Sequence, residues 1–68
     1  MLELGLERTR QYLRGFEVQY GISSQEFWRQ FEAGKIAESL DTIEWAGEIE
    51  TYRRLEAHRL ALQGAQLN

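Results

Sequence analysis

The most constraining feature of this 68-residue chain is a short segment, residues 20–34, with signals for both ends of one helix. Gly21 can take the left-handed conformation that ends a preceding helix. Ser23 can cap the next helix by accepting a hydrogen bond from the backbone N–H of Glu26, whose carboxylate can reach back, and Gly34 supplies the stop signal. A helix of about ten residues is unstable alone in water. Its aromatic side chains must therefore pack against the segments on either side.

Three aromatic side chains give this short helix, predicted over residues 23–33, its apolar face. Phe27 and Phe31 are one turn apart, whereas Trp28 lies about a hundred degrees round the helix, toward the rim. Ile22, just before the cap, can contact Phe27 as a hydrophobic staple. We expect Phe31 in the core.

A first helix is predicted over residues 2–20, because residues suited to one packed face recur there at spacings of three and four. Gly15 interrupts it at a cost of about 1 kcal/mol relative to alanine. It can allow a neighbouring backbone to approach closely, bend the helix, or be a tolerated surface glycine. Gly47 is a second glycine inside a predicted helix. If the first and third helices cross closely where Gly15 and Gly47 meet, that crossing explains both glycines. The predicted packed face comprises Leu2, Leu6, Thr9, Leu13, Phe16 and Tyr20.

A third helix is predicted over residues 41–63. Asp41 and Glu44 have the spacing of a second capping box, and Leu40 and Trp45 have that of a second staple. The connector before it, residues 35–39, is expected to turn Ile36 inward. The predicted apolar stripe of this helix comprises Trp45, Ile49, Tyr52, Leu55 and Leu62.

The predicted end of the third helix is Gly64, followed by a frayed tail over residues 64–68. On its solvent side, Glu50 is spaced to pair with Arg54 and Glu56 is spaced to pair with Arg59.

Composition narrows the classes of function. A chain of this length buries only about 60% of its surface on folding and usually needs a disulfide, a metal or a partner in addition. It has no cysteine and one histidine, so disulfides and thiolate or imidazole metal clusters are excluded. Eleven acidic and eight basic residues give a net charge of −3, which disfavours nucleic acid as a partner. No apolar run has the length of a signal or a membrane span, so we expect a cytoplasmic protein.

Candidate chemical sites are few. His58, the single histidine, has no nucleophile or orienting group placed beside it and is expected at the surface. Asp41, Glu44 and Glu48 share a helix face, with Glu38 just upstream. Their spacing lacks the alternating ligands and glycine turn of a calcium loop, so we expect an acidic docking face for a basic partner rather than a metal site.

An alternative to protein binding is nucleic-acid binding, with the short helix as the recognition helix of a helix-turn-helix. Ser24, Gln25 and Arg29 would then lie near base edges. Glu26 and Glu32 on the same helix and the acidic chain as a whole oppose that interpretation.

Aromatic surface is the third candidate. Tryptophan and tyrosine are enriched at the energetic centres of protein interfaces but are also ordinary core residues. We expect Trp45 in the core and at least one of Tyr12, Trp28 and Tyr52 at an interface.

Three segments carry a resemblance to a known family. Residues 20–27 with residues 31–34, followed by Glu44-Trp45-Ala46-Gly47, resemble small prokaryotic proteins often encoded beside a toxin, the antitoxin components of type II toxin–antitoxin pairs. The resemblance covers the central half of the chain. It implies a non-enzymatic protein that binds and neutralises a partner protein, and it implies no catalytic residue. The connector, residues 35–39, carries fewer acidic residues than the family would suggest.

The sequence thus predicts an all-α domain of three helices, two longer antiparallel ones with the short capped helix across them. We expect no enzymatic activity and no cofactor, a protein partner such as a toxin, and self-association through the first or third helix. The alternative is a small nucleic-acid-binding regulator that uses the short helix. The partner-binding candidates are Tyr12, Trp28, Tyr52, Asp41, Glu44 and Glu48.

Overall fold

A computed structural model describes residues 2–66, with side-chain detail for residues 3–64. The described chain consists of three α-helices and contains no strand, which confirms the all-α prediction. The first helix, α1, spans Leu2–Tyr20, the second, α2, spans Ser24–Glu32, and the third, α3, spans Leu40–Gln66. The predicted contact of Leu2 and the end of the predicted tail, residues 67 and 68, lie outside what is described.

Helices α1 and α3 are antiparallel, as predicted. A Cβ placed at Gly5 would lie 3.5 Å from Leu55 Cδ1. Further along α1, Arg10 Nη2 donates to the Tyr52 hydroxyl at 3.3 Å. At the end of α1, the Tyr20 hydroxyl donates to Asp41 at 2.5 Å. As the residue numbers on α1 increase, the residue numbers of their partners on α3 decrease, which shows that the two helices run in opposite directions.

The start of α2 has the predicted cap. Ser23 Oγ accepts from the backbone N–H of Glu26 at 3.1 Å, and Gly21 has a φ of 72°, in the left-handed region. The reciprocal half of the capping box is absent, because the Glu26 carboxylate accepts from Arg29 at 2.5 Å and from Gln30 at 2.7 Å instead. Gly34, with a φ of 73°, ends the helix as predicted.

The core is a stack of aromatic rings centred on Trp45, which is 1% exposed. The Phe27 ring lies parallel to the indole with centroids 3.9 Å apart, and the rings of Phe16 and Tyr20 stack on it at 5.4 and 5.6 Å. Trp45 Nε1 donates to Ser24 Oγ at 3.0 Å, which satisfies the one polar atom of the indole. One residue of α3 thus joins all three helices. Half-buried side chains that pack against this core include Leu13, Ile22, Trp28, Phe31 and the connector residue Ile36.

The predicted N-cap of α3 is wrong: the helix begins at Leu40, and the capping residue is Ser39 rather than Asp41. The capping pair is Ser39 and Thr42: the Ser39 N–H donates to Thr42 Oγ1 at 2.8 Å, and the Thr42 N–H donates to Ser39 Oγ at 3.2 Å. Asp41 is the second residue of the helix, where its carboxylate bonds Tyr20 instead. Leu40 is 87% exposed, so it forms no staple with Trp45. The hydroxyl groups of Ser39 and Thr42 thus accept from backbone N–H groups at the start of the helix, the role that was expected of Asp41 and Glu44.

Three further predictions about α3 and the glycines are corrected. The helix continues through Gly64, which has no need of a left-handed conformation there, and Leu62 is 49% exposed beyond the reach of the core. Gly15 and Gly47 do not meet: a Cβ at either would find nothing within 4 Å. Both glycines are exposed, and the glycine of α1 that lies against α3 is Gly5, next to the Leu55 side chain.

The corrected cap gives a first prediction. Ser39→Ala removes the hydroxyl that accepts from the Thr42 N–H and should lower the free energy of unfolding by about 1 kcal/mol. Glu44→Gln, the control at the position once expected to complete the box, should change it by less than about 0.5 kcal/mol. Urea denaturation monitored by circular dichroism measures both. The reverse order of effects would restore Asp41 and Glu44 as the cap.

The aromatic core gives a second prediction. Phe27 is 1% exposed and stacks on Trp45, so Phe27→Ala should cost about 3 to 5 kcal/mol of unfolding free energy. Tyr12→Ala, at a residue 53% exposed, is the control and should be nearly neutral. Equal urea midpoints for Phe27→Ala and the unmodified chain would contradict this placement of the core.

Candidate functional site

The seam between α1 and α3 has one covered side and one open side. Helix α2 covers the first: the Ser24 N–H donates to the Glu17 carboxylate at 2.8 Å, and the Arg53 guanidinium lies 4.7 Å from the centroid of the Trp28 ring. Gly5 and Leu55 meet in the seam near the start of α1. One seven-residue step along each helix from that contact leads to Tyr12 on α1 and to Glu48 on α3, so helical register predicts that these two residues lie at the same level. We call the open side the open seam, formed by Gln11, Tyr12, Gly15, Phe16 and Gln19 of α1 with Asp41, Glu44 and Glu48 of α3.

The α1 half of the open seam contains a depression of about 250 Å³. Tyr12 is exposed and Phe16 is half-buried, so each leaves part of a ring accessible. Gly15 lies between them and has no side chain to fill the space. The depression combines aromatic surface with the amide groups of Gln11 and Gln19, which line its two sides. It can receive one flat or elongated side chain.

The α3 half of the open seam is acidic. Asp41 accepts the hydrogen bond from the Tyr20 hydroxyl, and this bond raises the pKa of Tyr20 above its usual value because it stabilises the protonated phenol. Glu44 is exposed and Glu48 is half-buried. Neither Glu44 nor Glu48 forms an ion pair within the described chain. Two carboxylates therefore remain available to an external cation.

Helical register assigns four of the six predicted partner-binding residues to the open seam, and among these four Asp41 is bonded to α1, through the Tyr20 hydroxyl. Tyr12, Asp41, Glu44 and Glu48 all lie on the open seam. Tyr52 lies within the helix pair, where Arg10 bonds its hydroxyl and stands 5.7 Å from the centroid of its ring. Trp28 lies on α2, on the covered side, with its ring against Arg53.

The sequence interpretation missed Phe16 and its neighbours as parts of this surface. Phe16 was placed in the packed face of α1, and it does stack on Trp45 while remaining half-exposed to the depression. Gly15 was considered as a close helix contact, a bend or a tolerated surface glycine, but not as part of a binding surface. The available signal was the spacing of Gln11, Gly15 and Gln19 from Tyr12, which puts all of them on one side of the helix.

Helix α2 holds the side chains that the alternative reading placed near base edges. Ser24 Oγ accepts the bond from Trp45, and Arg29 pairs with Glu26 at 2.5 Å. The hydrogen bond from Arg29 and a second one from Gln30 lower the pKa of Glu26 to about 2. Of the three candidate side chains, Gln25 is exposed and has no such bond.

The remaining titratable groups form no evident reaction centre. His58 is exposed, as expected. No group of three histidine, cysteine or acidic side chains in the described residues is arranged to hold a metal ion, and this includes the trio on α3. Glu56 pairs with Arg59 at 2.6 Å, as predicted, and this contact lowers the pKa of Glu56. Its other carboxylate oxygen is buried without a hydrogen-bond partner.

Comparisons with protein-family models, curated proteins and solved structures find no significant match to the chain. Among the described residues, no helix combines the length and apolar character that crossing a bilayer requires.

The pKa of Glu26 gives a third prediction. A pKa of about 2 in the folded chain against 4.5 when unpaired means that the ionised carboxylate stabilises the fold above about pH 4.5. That contribution is lost as the pH falls toward 2. Glu26→Gln should flatten the dependence of the melting temperature on pH in this interval, whereas Glu32→Gln, on the same helix, should not. Identical pH profiles for Glu26→Gln and the unmodified chain would show that the Arg29 contact is too well screened by water to matter.

Proposed function

We propose that the chain is a non-enzymatic helical module that binds a partner protein through the open seam. The observation that carries the proposal is the aromatic depression on α1 beside Tyr12 and Phe16. Helical register puts Glu48 of α3 level with Tyr12, and neither Glu44 nor Glu48 forms an ion pair within the described chain. Aromatic anchors in a partly desolvated pocket supply binding energy, and rim charges set orientation and association rate.

The chemistry of the surface selects a basic partner segment. An arginine or lysine side chain laid along Gly15 can place its stem against Phe16 and its cationic head over the Tyr12 ring. In the proposed complex, Glu48 of α3 accepts a charge-assisted hydrogen bond from that cationic head. Arginine suits the site better than lysine, because its planar head can stack on the ring and form a bidentate pair with a carboxylate.

The resemblance to antitoxin components supports a neutralising role. In this proposal the basic segment belongs to a toxin encoded beside the chain, and occupation of the open seam blocks that toxin. A net charge of −3 favours association with a basic protein by electrostatic steering. The single exposed histidine and the lack of cysteine support a binding role over a catalytic one.

The nucleic-acid alternative stays a prediction without an observation in its favour. It requires free side chains on α2, yet Ser24 is bonded to Trp45 and Arg29 is bonded to Glu26. Binding to DNA that weakens steeply with salt would support it.

The proposal is tested by binding to the product of the neighbouring gene. The purified chain and that protein are titrated by calorimetry at low and physiological salt. Tyr12→Ala should weaken binding by about thirtyfold, the loss typical of an interface anchor. Glu44→Gln with Glu48→Gln should slow association and reduce its salt dependence.

The matched control is Glu32→Gln with Glu38→Gln, which removes the same charge from exposed positions outside the open seam. It should bind nearly as the unmodified chain does. Equal affinity for the seam variant and the control, or no binding to the neighbouring product, would refute the proposed role.

A further inference from the structure

The side of α3 that faces away from both other helices carries an ordered pattern of its own. Eight positions recur there at alternating steps of three and four over 25 residues, and all eight are exposed. Only two of them, Glu50 and Arg54, are charged. We call this row the outer stripe: Leu40, Ile43, Gly47, Glu50, Arg54, Ala57, Ala61 and Gly64.

The intramolecular fold does not explain the outer stripe. The row of α3 that packs against α1 and α2 is a different one and includes Thr42, Trp45 and Ile49. Leu40 is 87% exposed and Ile43 is 53% exposed. A solvated helix face is normally charged or polar, whereas this one is apolar or small at six of its eight positions. An alternating step of three and four is the pattern of a helix that packs against another helix along its length.

We propose that two copies of the chain associate by antiparallel pairing of their outer stripes. In this pairing the two-fold axis passes level with Tyr52. The large residues at the start of the stripe then meet small residues at the end of the stripe on the second copy: Leu40 lies opposite Gly64, and Ile43 lies opposite Ala61. Gly47 lies opposite Ala57, which permits close approach of the two backbones near the centre.

The two charged positions fit the same axis. Glu50 of each copy lies opposite Arg54 of the other, so the pairing contains two ion pairs, each between a glutamate and an arginine. A parallel arrangement would instead place each of these residues against its own copy and bring like charges together. Glu50 and Arg54 are suitably spaced to pair within one helix, but they form no ion pair within the described chain. Both are therefore available to the second copy.

The length of α3 provides an independent argument. It has 27 residues against 19 in α1, and the contact of Gly5 with Leu55 places the start of α1 well before the end of α3. The last turns of α3 thus project beyond their neighbour, and Leu60 there is 54% exposed. A lone projecting helix end is only marginally stable in water. In the antiparallel pair, Ala61 and Gly64 rest against the first turns of the second copy's α3.

The pairing is separate from the proposed partner-binding surface. Glu44 and Glu48 are not members of the outer stripe, and the depression is lined by residues of α1 alone. Dimer formation leaves the open seam accessible, so each dimer presents two copies of it. Failure of either proposal leaves the other testable.

Charge reversal tests the pairing directly. Sedimentation equilibrium of the unmodified chain should show a monomer–dimer equilibrium. Glu50→Arg alone and Arg54→Glu alone should each raise the dissociation constant at least about tenfold, because both ion pairs become like-charge contacts. Glu50→Arg combined with Arg54→Glu should restore dimerisation to within about threefold of the unmodified chain. Circular dichroism should show equal helicity for all four proteins, since both positions are exposed.

The absence of native cysteine permits a second readout of orientation. Ile43→Cys and Ala61→Cys, mixed under oxidised glutathione, should form a cross-linked heterodimer faster than Ile43→Cys forms a homodimer, because only the mixed pair is juxtaposed. A monomer at every concentration, a dimer indifferent to the charge reversals, or preferential cross-linking of Ile43→Cys to itself would overturn the proposed pairing.

Discussion

The fold depends on the ring stack around Trp45. Phe27 from α2 and Phe16 from α1 lie against the indole, and Ser24 at the start of α2 accepts its N–H. A helix of nine residues gains its stability from such tertiary contacts rather than from its own hydrogen bonds. The caps at its two ends decide where α2 starts and stops. Trp45 decides where it docks.

The aromatic cluster around Trp45, where α2 docks, determines which side of the helix pair remains uncovered. Helix α2 is too short to cover more than one side of the seam, which leaves Tyr12 and the adjoining acidic residues accessible on the other. Helix α3 continues beyond α1 with exposed leucines near its end. A 68-residue domain with no disulfide has few internal means of further stabilisation. Its uncovered helix faces provide surfaces where a partner protein and a second copy of the chain can bind and so add to its stability.

The sequence predicted the elements of the fold better than the details of their contacts. Periodicity and glycine punctuation identified three helices and their order, because these signals are local. The α3 cap was misplaced because Asp41 and Glu44 have the spacing of a capping box, and the competing hydroxyl pair depends on how the connector folds back. The crossing of Gly15 with Gly47 was wrong because the rotation of one helix against another is a tertiary property.

The candidate site was predictable only in part, for the same reason. Spacing alone placed the acidic residues on one face of α3, and the excess of aromatic residues made Tyr12 one of three interface candidates. Nothing in the sequence showed that α2 covers the opposite side of the seam, because that arrangement follows from the docking of Trp28 and Phe27. The positions of the acidic residues relative to Tyr12 could not be predicted either, because they depend on the register between α1 and α3, which are distant in sequence.

The central claim is that the surfaces outside the core serve association. The most direct measurement is the thermal unfolding of the unmodified chain at concentrations from micromolar to millimolar. If folded copies bind one another, mass action requires the melting temperature to rise with concentration. A melting temperature that stays constant over this range, for a chain that unfolds reversibly, would contradict the account.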